Sequence, residues 1–254
     1  MNEMTVKRKL KRPEVLAPAG TLEKLKTAIH YGADAVYIGA PKFGARSSAS
    51  NTIEDIERLV KFAHQYRAKI YVTINTILYD NELAEAEALI NELYNIGVDA
   101  IIVQDTSIFK LDLPPIAIHS STQAENSTLA KVKFWESIGC EQVVLARELS
   151  LEEISHIHKN TSVRLEAFVH GALCYSYSGR CLMSSFHGGR SGNRGACAQP
   201  CRWNYKIVEE KRPDMPLPIE ENELGTFIMS SKDMCTVSMV PELVAAGINS
   251  FKIE

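Results

Sequence analysis

The sequence predicts an α/β fold: a TIM-barrel-like (β/α)8 barrel with a Cys-rich insertion after the seventh strand. A helix–Gly–strand unit recurs as YGADAVYIG, IGVDAIIVQD, IGCEQVVLARE and AGINSFKIE, and an internal βα repeat argues for a parallel sheet. The short β-rich runs are mostly continuous apolar stretches without strict alternation, as suits strands covered on both faces. No Gly-rich phosphate fingerprint follows the first run, only LAPAGT. Seven strand runs before the insertion exceed what most open Rossmann sheets use, and a closed barrel accommodates them.

Each element has its own signals. Residues 1–13 form a basic, flexible tail, because MNEMTVKRKLKR lacks the apolar region of a signal peptide. Strands are predicted at Glu14–Ala17, Ala35–Gly39, Lys69–Asn75, Ala100–Gln104, Ile116–Ser120, Gln142–Ala146 and Arg164–Val169. Between them, Thr21 precedes LEKLKTAIHYG, where Leu22, Leu25, Ala28 and Ile29 share a face and Gly32 is the C-cap. Thr52 caps IEDIERLVKFAHQY, with Asp55 in a box-like position. ELAEAEALINELYNIG stops at Gly97 and TLAKVKFWESIG at Gly139, while Ser150 and Glu153 open LEEISHIHK. The Cys-rich loop spans 170–204, and 208–225, rich in acids and prolines, forms a surface excursion. Strands at Phe227–Ser231 and Ser250–Ile253 follow, separated by the helix-like MVPELVAAG, giving nine strand candidates for eight barrel places within one catalytic domain, 14–254.

With 254 residues and 45% hydrophobic content, the chain can build one substantial core. A net charge of −3 carries no global nucleic-acid signature, so an RNA partner must meet a local basic patch. No apolar run reaches the length of a membrane span, and a cytoplasmic protein is expected.

The chemistry concentrates between His170 and Trp203. Cys174, Cys181, Cys197 and Cys201 lie there with six, fifteen and three residues between successive thiols, interleaved with Arg180, Arg190, Arg194, Arg202 and a run of glycines. Soft thiolates bind iron or zinc tightly, and glycines let the backbone turn around an ion. The alternatives are two disulfides or scattered buried thiols; a reducing cytosol argues against the disulfides. Zinc is the other metal, but the paired short CxxC knuckles of structural zinc sites are missing. Cys140 follows a helix-ending glycine on the opposite side of the barrel and reads as inert, whereas Cys235 could replace Cys201 as a ligand.

Active sites of such barrels sit at the carboxyl ends of the strands. Asn75, Gln104, Asp105, His119, Ser121, Gln123, Arg147, Glu148, Glu166 and His170 fall at or near those ends, as do Lys232, Asp233, Lys252 and Glu254. The candidate catalytic set is Asn75, His119, Glu166 and His170, and the candidate substrate-binding set is Arg147, Gln123, Arg180 and Arg194. Each has a structural counterpart role. Asn75 would satisfy backbone groups, the histidines would be hydrogen-bonded rim residues, and Glu166 would form a polar layer or pair with Arg147. Arg147 directly follows VVLA, and its planar fork suits a carboxylate.

Together, LAPAGTLEKLKTAIHYGADAVYIG, VLARELSLEEI, EAFVHGALCYSYSGRCLMSS, GACAQPCRWNY, SSKDM and SFKIE resemble the collagenase-like peptidase family U32 over nearly the whole chain. The HGALC-x6-C and RGACAQPCRW blocks are the most specific parts. Family members usually continue past FKIE, so the resemblance implies a fragment or shortened version without the C-terminal extension. Within the family the chain is similar to bacterial tRNA hydroxylation proteins. That implies prephenate-dependent, oxygen-independent conversion of the tRNA wobble uridine to 5-hydroxyuridine. Relatives acting on the ubiquinone ring carry four-cysteine 4Fe–4S clusters. By resemblance Cys174, Cys181 and Cys197 match cluster cysteines, with Cys201 favoured over Cys235 as the fourth. The implied partners are tRNA and prephenate, with self-association or pairing with a paralogue left open and no membrane. The alternative function is a metal-dependent collagenase-like peptidase, although the chain has no HExxH and no recognisable pairing of a nucleophile with His and Asp.

Overall fold

The computed structural model describes residues 12–45, 51–203, 207–217 and 233–254. Its strands begin with β1 (Glu14–Pro18), β2 (Ala35–Gly39), β3 (Lys69–Ile74), β4 (Ala100–Val103), β5 (Ala117–Ser120), β6 (Gln142–Val144) and β7 (Arg164–Gly171). β8 (Ile207–Glu209) and β9 (Arg212–Leu217) form a separate antiparallel ribbon inside the region expected to be a plain surface excursion. β10 (Met234–Cys235) adds antiparallel to the end of β7. β11 (Ser250–Ile253) pairs in parallel with both β7 and β1 and closes the ring β1–β7 plus β11. Eight of the nine predicted strands therefore fill the barrel, and Phe227–Ser231 lies outside the described residues.

The helices obey their local signals. α1 (Leu22–His30) starts where Thr21 Oγ1 accepts the Lys24 N–H at 3.3 Å, and α2 (Ile53–Gln65) starts where Thr52 does the same for Asp55 at 3.2 Å. Such a cap stabilises by about 1 kcal/mol. α3 is Leu83–Asn95 and α4, capped by Thr128, is Leu129–Ser137. α5 (Leu151–Lys159) carries the full reciprocal box, Ser150 with Glu153. α6 (Met183–Gly188) lies within the Cys-rich insertion and α7 (Val240–Ala245) precedes β11. One unit departs from the repeat: β4 reaches β5 through a 3-10 turn, Thr106–Lys110, whose Ile108 is fully buried. The repeat's glycines, Gly32, Gly97, Gly139 and Gly247, all have φ between +90° and +99°, which explains their recurrence between helix and strand.

Two apolar layers lie between strands and helices. The first centres on Leu25, Ile56, Ile70, Val72 and Ile90, the second on Trp135, Val143, Leu165 and Phe251. The barrel interior is mixed. Leu16, Ala35, Tyr71, Ala100 and Ile102 form its apolar part. Towards the amino ends, Glu14 faces Lys69 at 3.6 Å and Arg164 at 3.7 Å, and accepts the Tyr71 hydroxyl at 3.0 Å. One layer higher, Glu166 is fully buried; it takes the Lys252 ammonium at 3.1 Å, the Gln142 amide at 2.6 Å and the Ser250 hydroxyl at 3.1 Å.

Candidate active site at the barrel mouth

The insertion that follows β7 folds back over the carboxyl ends of the strands and encloses a cavity of about 530 Å³. Strand-end residues clamp it there. The Ser178 N–H donates to Glu148 at 2.8 Å, Arg180 pairs with Glu125, and the Ile77 N–H donates to the Asn193 carbonyl at 3.1 Å. Arg194 grips Glu82 with both edges of its fork, at 2.6 and 2.7 Å, and lies over the Tyr79 ring. That fork holds the Glu82 carboxyl down at about 2. Gly179 has φ +71° and sits so close to the Gln123 carbonyl that any Cβ would overlap it, so this anchor needs a glycine.

Four of the five cysteines from Cys174 onward share the cavity wall. Cys174, Cys181, Cys197 and Cys201 all line it. Burial raises the Cys201 thiol, and the adjacent Cys174, Cys197 and Cys181 push the same way while Arg202 opposes them. The Gln199 N–H donates to Cys197 Sγ at 3.4 Å, a contact that stabilises a thiolate. Cys235 lies outside this wall, exposed, on β10 opposite His170. Among the described residues, no three His, Cys, Asp or Glu side chains are drawn together closely enough to hold a metal ion as placed. Four thiols on one wall are the right donor type for a thiolate-held group, although they are not gathered into a ligand set in this structure. Cys140 is buried at the start of β6, donates to the Ile118 and Gln142 carbonyls, and is pushed up to about 12 by burial, as an inert thiol should be.

The other candidates divide. Arg147, Gln123 and Asn75 line the cavity. Arg147 is stacked on the Phe168 ring at 3.8 Å and paired with Glu254, whereas the expected partner Glu166 is engaged by Lys252. The Asn75 amide donates to Ser121 at 3.2 Å and its oxygen accepts the Ala45 N–H at 2.8 Å. Asp105 caps the 3-10 turn after β4. Four expectations are corrected. His119 is not at the mouth: it is 3% exposed, inside the barrel, edge-on to Tyr71. Burial, then Arg164, Lys252 and Lys69, drives its imidazole down to about 3, so it stays neutral. His170 is exposed on β7, in register with Ile253 of β11 and Cys235 of β10; its carbonyl accepts the Glu254 N–H, and it does not line the cavity. Arg180 and Arg194 are clamps rather than free cations, because Glu125 and Glu82 neutralise them. Glu166 sits in the interior layer and acts on the cavity only through Lys252. Lys232 lies outside the described residues.

Lys252 is the residue missing from the candidate set. It is 5% exposed, faces the cavity, and places its ammonium 4.3 Å from the Tyr37 ring centre and 5.4 Å from that of Phe168. Its place at a strand end was the one available signal. Arg147 and Lys252, which line the mouth together with Arg202, are each balanced by a carboxylate and each lie against an aromatic face.

A closed parallel barrel roofed by a cysteine insertion makes this a TIM-barrel protein with its candidate chemistry at the strand carboxyl ends. Residues 20–254 match the model of peptidase family U32, and the chain belongs to that family. It is 49% identical over 243 residues to the 23S rRNA 5-hydroxycytidine C2501 synthase of Escherichia coli, covering 96% of this chain and 36% of that protein. It is 42% identical over 248 residues to tRNA hydroxylation protein P1 of Bacillus subtilis, covering 96% and 58%. A collagenase of Porphyromonas gingivalis is 35% identical over 255 residues, covering 95% and 60%. The chain thus spans roughly a third to three-fifths of these relatives. The solved structure of a U32 peptidase shares the fold, with a TM-score of 0.63 over 95% of this chain and 92% of that one at 13% identity. Among the described residues no helix is long and apolar enough to cross a membrane.

Proposed function

We propose that this barrel carries the active site of an RNA-modifying enzyme that hydroxylates a pyrimidine base without molecular oxygen, using prephenate as co-substrate and a four-thiol iron–sulfur cluster. One observation carries it: Cys174, Cys181, Cys197 and Cys201 line the same cavity as Arg147 and Lys252. The wobble uridine of tRNA, giving 5-hydroxyuridine, is the first substrate, supported by similarity to tRNA hydroxylation proteins. A ribosomal RNA cytidine is the second, favoured by the 49% identity to a relative named for 5-hydroxycytidine.

Cys174, Cys181, Cys197 and Cys201 would hold the cluster, which when bound supplies redox chemistry. The chain's own residues do the positioning. Arg147 offers a planar fork, already stacked and largely buried, that a substrate carboxylate can take over from Glu254. Lys252 adds a second fixed cation at the cavity floor, and the clamped insertion keeps bulk water from weakening both. The peptidase function draws support from the collagenase relative. Against it, among the described residues no histidine lines the cavity.

Anaerobically purified protein should be brown and contain iron and sulfide. Cys174→Ser, Cys181→Ser and Cys201→Ser should each lose most of the iron, whereas Cys140→Ser and Cys235→Ser keep it. Nucleoside mass spectrometry of separated tRNA and rRNA, from cells with and without the full-length protein, identifies the substrate. Full iron content in the Cys174 and Cys181 variants would refute the ligand assignment, and unchanged nucleosides in both RNAs would refute the hydroxylase.

A further inference from the structure

The insertion carries more than thiols. Of the 34 residues from His170 to Trp203, four are arginines and none is Asp or Glu, in a chain whose net charge is −3. The same stretch holds much of the molecule's exposed aromatic surface: Tyr175 is 53% exposed, Tyr177 70%, Phe186 89% and Trp203 45%. Exposed aromatic rings in an acid-free, basic segment cost solvation and contribute nothing to this fold's core. Tyr175 and Tyr177 also line the cavity that Cys174, Cys181, Cys197 and Cys201 line. Arg190 is exposed, donates to the Ala196 carbonyl at 3.0 Å and, among the described residues, meets no carboxylate. Arg180, Arg194 and Arg202, by contrast, each face a carboxylate, that of Glu125, Glu82 and Asp233 respectively.

We infer that this rim is a stacking platform for single-stranded RNA. Tyr175 and Tyr177 receive unpaired bases, one of which passes into the cavity, and Arg190 contacts the backbone. This rests on the RNA-modifying function proposed above and names the surface that meets the RNA. Arg190 suits a backbone phosphate, and exposed rings select unpaired bases, because every base offers a π-face while a duplex hides it. A base inside a helix cannot enter a cavity at the barrel mouth, so the target must be unstacked, and rings at the mouth compensate for the stacking it loses. The cavity's size lies in the range of small-ligand sites and accommodates a nucleobase.

The test uses the anaerobically purified protein with a fluorescently labelled RNA hairpin loop and a blunt RNA duplex of equal length. The protein should bind the loop more tightly. Tyr175→Ala and Tyr177→Ala should each weaken loop binding about tenfold without changing its salt dependence, while Tyr177→Phe, which keeps the ring, should bind like the parent. Arg190→Ala should reduce the salt slope by about one. A loop carrying 5-iodouridine should photocrosslink to the peptide containing Tyr175 and Tyr177. These rings are exposed, so their removal does not threaten folding. Loop binding unaltered in both alanine variants, with crosslinks mapping elsewhere, would overturn the platform while leaving the RNA-modifying function standing. Failure of the parent to bind any RNA would overturn both.

Discussion

Arg147 is held in one geometry by its own neighbours. Its guanidinium is stacked on Phe168, its side chain is only 10% exposed, and its charge is satisfied by Glu254. A fork fixed by stacking loses little entropy on binding, so exchanging one carboxylate for another costs mainly the release of Glu254. Arg147→Ala should therefore weaken prephenate binding to cluster-loaded protein by about 1.5–3 kcal/mol, with RNA affinity unchanged. Arg147→Lys should recover only part, because it restores charge without the planar fork. Calorimetric titration checks this, and equal affinities in a folded Arg147→Ala variant would remove the residue from the site. The placement of Arg147 and of four thiols was legible from local sequence, since both depend on position after a strand or on spacing within one loop. The roles of Arg180 and Arg194 were not, because their partners Glu125 and Glu82 lie 55 and 112 positions away. Lys252 was missed for a related reason: its access to the cavity depends on the register of β11 against β7, which only ring closure sets.

At the scale of elements, the insertion holds its place through a few clamps rather than a large apolar core of its own. The Arg194–Glu82 fork joins it to the loop before α3, and the Gly195 backbone lies directly against the Gly44 carbonyl beside it. The Glu82 carboxyl is lowered from the ordinary 4.5 to about 2, first by the Arg194 fork and then by the Tyr79 N–H. A folded-state value below the unfolded one stabilises fully above about 4.5 and is lost as pH falls towards 2. Glu82→Gln should remove that part of the acid sensitivity, and at neutral pH should loosen the insertion by about 1–2 kcal/mol, since the pair is only partly shielded from water. Faster amide exchange and faster tryptic cleavage within 190–203, with the barrel strands unaffected, are the expected readouts. Uniform acceleration across the molecule would mean that the clamp belongs to the barrel's global stability instead. The helices show the same local logic, and this is why they were legible: Thr21, Thr52, Thr128 and Ser150 act as caps where the sequence places them. The turn that replaces a helix between β4 and β5 was not, because Thr106–Lys110 is too short to show a helical period.

Across the whole molecule, one buried ion pair links the barrel's interior to its mouth. Glu166 is fully buried with its carboxylate shared among Lys252, Gln142 and Ser250, residues contributed by β11 and β6 to a side chain on β7. The pair sits where β11 closes the ring, so losing it weakens the closure between the last strand and its neighbours. Removing one partner leaves the other as an uncompensated buried charge, which costs roughly 3–5 kcal/mol. For a domain of this size that corresponds to a fall in Tm of roughly 6–20 °C. Lys252→Met should show the full loss. Glu166→Gln should also be destabilising, but less so, since an amide can still bond to Ser250 and the freed ammonium keeps the Tyr37 and Phe168 faces. The double variant should be more stable than the sum of the single losses predicts, because no unpaired charge remains; the recovered coupling should be about 1–3 kcal/mol. Denaturant unfolding of the four proteins measures the cycle. Strict additivity would show that Lys252 and Glu166 do not act as a pair, and would detach the cation at the cavity floor from the barrel layer beneath it.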